Sequence, residues 1–147
     1  MHVWSRRYLG IAAGVLAACA AAAASAQAPI PEREAALRAA FARHVADETR
    51  TLTCVAVMQP EHLEGAKTGW NEILGLTAEV LERGRFPKVT IATLLSNAQA
   101  ETLMREPIDP ERTRASCLAD KAWEQHFIKF MSYHLVGDVR EIVEGHR

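Results

Sequence analysis

The sequence predicts an all-α fold, a small helical bundle of four to five short helices stapled by one disulfide. Three observations carry that expectation. Apolar residues recur at helical spacing through most of the chain after residue 30. Proline and aspartate stand where helices would start, and glycine where they would stop. Two cysteines, Cys54 and Cys117, remain once the N-terminal segment is set aside, and the single stretch that could suit a strand has nothing to pair with.

The first element is a leader. Arg6 and Arg7 precede an uncharged apolar run from Tyr8 to Ala24, and Ala24-Ser25-Ala26 has the small-x-small pattern of a cleavage site. Residues 1–26 therefore read as a secretory signal peptide, and 27–147 as a single helical domain with its core at about 31–137 and a short tail helix. A retained membrane helix is the alternative, but the run is dominated by alanine rather than leucine or isoleucine. Leu16-Ala17-Ala18-Cys19 also resembles a lipobox, in which Cys19 would be lipidated and tether the protein to the outer membrane. Ser5-Arg6-Arg7-Tyr8-Leu9 has the look of a twin-arginine signal, although paired arginines are common in ordinary leaders. The expected compartment is the periplasm.

Pro31-Glu32-Arg33-Glu34 opens the first helix, with Leu37, Phe41 and Val45 as its apolar stripe and fraying expected near residues 47–50. Residues 51–58 are ambiguous between helix and extended chain, since Thr53 could cap a helix starting at Cys54. A second helical region follows Gln59-Pro60-Glu61, interrupted by Gly65 and Gly69. Trp70, Ile73, Leu74, Thr77 and Leu81 then form one face, and Gly84 ends it. Phe86-Pro87 begins the next helix, with Val89, Ala92, Leu95 and Leu103 expected to face the core and Pro107 beyond its end. Asp109-Pro110-Glu111 is the sharpest start signal, and one long helix is expected from there through Leu118, Trp123, His126, Phe127, Phe130 and His134 to Gly137. Val139 to Val143 would be the tail helix.

Export changes the meaning of the cysteines. An even pair in an oxidising compartment reads as a Cys54–Cys117 disulfide. Removing the leader's two arginines leaves 15 basic side chains against 18 acids, a net charge of −3. That balance argues against a nucleic-acid partner and against a polybasic membrane tether.

Signals for chemistry are sparse. There is no H-E-x-x-H, G-x-S-x-G, Walker loop or dinucleotide fingerprint, and neither C-x-x-C nor C-x-x-C-H occurs. The expectation is a protein that is not an enzyme and holds no metal or cofactor. Glu61-His62-x-Glu64 reads as a solvated helix face, because adjacent side chains diverge on a helix. His126 and His134, with Met58 or Met131, form the one alternative: axial ligands for a haem inside the bundle. A packed core face explains the same residues more simply.

Thr53-Cys54, Gly69-Trp70 and Cys117-x-x-Asp120-Lys121 give the chain a resemblance to the HdeA-type periplasmic acid-stress chaperones. The resemblance implies a small all-α homodimer at neutral pH. Acid would dissociate and partly unfold it, exposing apolar surface that holds client proteins, while the disulfide limits the opening. The segment between the cysteines is longer here, a helix at 31–50 precedes the matching region, and Val55-Ala56-Val57 replaces an acidic cluster. Val55 and Val57, then Trp70, Ile73 and Leu74, are the candidate client or partner surface. The expected function is a non-enzymatic envelope protein that binds other proteins, with acid-activated chaperoning in a stress response as its specific form. The alternative is an assembly module such as an immunity protein or a pilotin-like lipoprotein.

Overall fold

The computed structural model describes residues 30–129 and 131–145, and among them there are helices, 3₁₀ turns and connections but no strands. The expected leader, Cys19 and Phe130 lie outside the described residues. An all-α fold with one disulfide is thus what the described residues adopt, although the helices are divided differently from the expectation.

The first helix, α1, runs unbroken over Ile30–Met58. It neither frays near 47–50 nor turns extended at 51–58. The threonines that suggested otherwise are tied into the helix: Thr49, Thr51 and Thr53 each donate a hydroxyl to the carbonyl four residues back, at 2.6–2.9 Å. Such back-bonding satisfies the hydroxyl without breaking the backbone ladder. Burial of Thr51, Leu52, Cys54 and Val55 then outweighs the weak helix propensity of a β-branched run.

A 3₁₀ turn at Pro60–His62 leads into α2, Leu63–Arg83, which Gly65 and Gly69 do not interrupt. Trp70, Ile73, Leu74, Thr77 and Leu81 are buried on it, as their spacing requires. Its end is a Schellman cap: Arg85 N–H bonds Glu82 O at 3.0 Å and Phe86 N–H bonds Leu81 O at 3.3 Å. Gly84 occupies the last right-handed position (φ −71°), and the left-handed residue is Arg85 (φ 57°). A Cβ on Gly84 would lie 2.9 Å from both methyls of Val143, so close packing takes the glycine and leaves the left-handed position to arginine.

Helix α3 spans Lys88–Ala98 and the single turn α4 spans Ala100–Leu103. Val89 and Ala92 point outward rather than into the core, and Thr90, Ile91 and Ala98 are the buried residues of α3. The expected stripe holds at Leu95 and Leu103, which are half-buried against the main core, and is one position off at Val89 and Ala92. Helix α5, Pro110–Ala119, begins where expected, with Asp109 Oδ1 accepting from the backbone N–H of Glu111 and Arg112. It does not continue to Gly137. Asp120 leaves the helix with an extended backbone and caps the next one through Ala122 N–H at 2.9 Å. Helix α6 covers Ala122–Ile128, a 3₁₀ turn covers Met131–Tyr133, and α7 covers His134–Glu144. Leu118 is consequently exposed.

The expected tail helix is central instead. Helix α7 packs against both α1 and α2, burying Leu135, Val139 and Val143 in the main core with Leu37, Phe41, Trp70 and Leu81. A smaller cluster gathers Val55 and Trp123 around the disulfide. No helix among the described residues is long and apolar enough to cross a membrane.

Candidate functional site

The middle of α1 is the spine to which the C-terminal half is fastened. Cys54 bonds Cys117 of α5 across 63 positions, with Cα atoms 5.8 Å apart. Trp123 is buried beside the bridge, and its indole N–H donates to the Cys117 carbonyl at 3.0 Å. One turn before the cysteine, the Arg50 guanidinium meets the Asp120 carboxylate at 2.8 Å.

Two histidine–carboxylate ties complete the fastening. His44 Nε2 lies 2.9 Å from Asp138 Oδ2 of α7, with Arg43 at 3.3 Å from the same oxygen. The hydrogen bond from His44 is the main reason the Asp138 carboxyl is held below its ordinary range, against a smaller opposing effect of desolvation. One helical turn on, Glu48 is only 3 % exposed. Its Oε2 accepts from His126 Nε2 at 3.0 Å and from Ser132 Oγ at 2.8 Å. A buried carboxylate held by two donors is stable in place but costly to leave unpaired.

Glu48 also lines a groove of about 390 Å³ between α1, α2 and the α6–3₁₀ segment. Its floor is Trp70, Ile73 and Phe127, and Gly65 and Gly69 leave one wall open, since no atom lies within 4 Å of a Cβ at either. Glu61 and His62 stand on the rim, 3.8 Å apart and both exposed. Glu64 turns instead to Lys67 at 3.1 Å, so the Glu61-His62-x-Glu64 run does not converge. Among the described residues no three potential metal ligands cluster.

Of the residues marked in the sequence, only the cysteines meet as expected. Val55, Trp70, Ile73 and Leu74 are 0–5 % exposed, and Val57 is half-buried, so none of the five forms an open surface in the folded protein. Their burial is structural. The Trp70 indole N–H donates to the Ala98 carbonyl at 2.6 Å, tying α2 to the end of α3. Of the two haem-ligand candidates, His126 is engaged by Glu48 and His134 is exposed at the start of α7. Sequence reading missed Glu48, although a signal existed: it falls on the stripe that joins Phe41 to Leu52, where a carboxylate must find a partner.

No protein-family model, curated protein or solved structure matches the chain.

Proposed function

We propose that the chain is a non-enzymatic exported protein that binds other proteins, and that acid releases the surface it binds with. The observation that carries this reading is the fastening of the C-terminal half to α1: besides apolar packing it consists of a covalent bridge, which acid leaves closed, and of three carboxylate pairs. Carboxylates that are paired in the folded state lose those pairs when protonated, and self-repulsion grows as net charge rises. Lifting α7 would uncover Leu135, Val139 and Val143 together with Leu37, Phe41 and Trp70. The Cys54–Cys117 bridge would stay closed and keep the opened segments together. The resemblance of Thr53-Cys54, Gly69-Trp70 and Cys117-x-x-Asp120-Lys121 to the acid-stress chaperones supports the same reading.

The test is made on the oxidised exported protein at about pH 2–3, where paired carboxylates take up protons. Binding of an apolar-surface dye should rise, and aggregation of an acid-denatured client should fall. A protein that stays closed and inert there ends the proposal. The groove favours a second reading, in which a side chain of an envelope partner docks at neutral pH, as in an immunity or pilotin-like module. Intact-mass measurement would show whether that module carries lipid on Cys19.

A further inference from the structure

A second concavity lies where α1 begins and where α2 and α7 end, with a volume of about 890 Å³. Four arginines line it: Arg33, Arg83, Arg85 and Arg140. Glu144 is the only carboxylate among its described lining residues. The concentration is unexpected in a mature chain whose overall charge is −3.

Arg33 is the fixed member. Its Nη2 donates to the carbonyls of Gly84 and Val143 at 3.4 and 3.3 Å, and its guanidinium lies 4.8 Å from the centre of the Phe86 ring. Its Nε is buried and has no hydrogen-bond partner among the described residues. Arg83, Arg85 and Arg140 are exposed and make no ion pair or side-chain hydrogen bond among the described residues.

The negative ends of α2 and α7 account for one cation each. They do not account for four. Nor do they explain Arg85, which holds a left-handed backbone (φ 57°) where asparagine or glycine is the usual occupant. Four guanidiniums gathered around a single carboxylate repel one another, and a further anion between them would relieve that repulsion. Their planar forks match tetrahedral oxyanions in paired hydrogen bonds, which a single carboxylate could not offer to several arginines at once. The cleft is larger than one phosphate, and Val80 and Val143 give it an apolar side.

We infer that this cleft binds a phosphate-bearing ligand, with diphosphate or phosphomonoester groups held by Arg83, Arg85 and Arg140 beside the fixed Arg33. Such groups occur both on free organic phosphates and on lipid headgroups. The function proposed above is not required.

The exported, oxidised protein is titrated calorimetrically with pyrophosphate, and its cosedimentation is measured with phosphatidylcholine vesicles with and without phosphatidic acid. Saturable binding of pyrophosphate supports a soluble ligand. Binding only to phosphatidic acid vesicles supports a headgroup. In either case R83A/R85A/R140A should weaken binding at least about tenfold. The three side chains are exposed, so its circular dichroism and melting point should stay close to those of the parent. Failure of both probes to bind, or binding unchanged in the folded triple variant, overturns the inference.

Discussion

Glu48 and His126 stand 78 positions apart in the chain, yet the carboxylate accepts the imidazole N–H at 3.0 Å, with both side chains largely buried. Ser132 donates to the same oxygen, so one side chain of α1 holds both α6 and the turn that leads into α7. Replacing Glu48 with alanine leaves two donors without an acceptor. The expected cost is about 1–3 kcal/mol, read as a lower urea midpoint at pH 7 with an unchanged slope. E48Q, which keeps an acceptor oxygen, should lose less.

The disulfide closes a span of 63 positions. In the chain-entropy model such a closure stabilises the fold by about 4 kcal/mol. C54A/C117A should therefore melt on the order of 10–20 °C below the oxidised parent. A melting point that reduction leaves unmoved would show that the helices alone restrain the unfolded chain.

The Asp138 carboxyl is held below its ordinary 3.8, chiefly by the hydrogen bond from His44. A depressed carboxyl stabilises the folded state fully above its unfolded value, and that contribution disappears as pH falls through the folded value. Stability supplied by this tie should thus be present at pH 7 and decline progressively as pH falls below about 4. D138N should lower stability at pH 7 and have a smaller effect as the pH falls below 3.8, so the two unfolding midpoints draw together. Because the side chain is 40 % exposed, the change will be modest and will shrink with added salt.

Gly84 is held by packing. A methyl group there would sit 2.9 Å from Val143, and G84A should cost about 1–3 kcal/mol through overpacking. Adding V143A should recover part of that loss, measured as a double-mutant cycle.

Arg85 offers the opposite case. R85G removes a side chain from a left-handed position (φ 57°) and should raise stability by about 0.5–1 kcal/mol in denaturant unfolding. A stabilised R85G protein that binds pyrophosphate less well would place strain and ligand on the same residue.

Much of the secondary structure was legible because helix signals are local. The Asp109-Pro110 start, the buried face from Trp70 to Leu81 and the pairing of two cysteines each follow from a few neighbouring residues or from the count of thiols. What failed were judgements that depend on distant contacts. The threonine-rich end of α1 is helical because burial overrides propensity, and Asp120 breaks a helix that apolar spacing alone would have continued.

The sequence by itself determined an all-α chain with one bridge, since helical periodicity and thiol pairing need no knowledge of which helices touch. Only the tertiary structure decided that α7 lies at the centre, that Glu48 is paired with His126, and that four arginines share one cleft. Those facts join residues far apart in the chain, and closeness in space is set by how helices pack rather than by any local pattern.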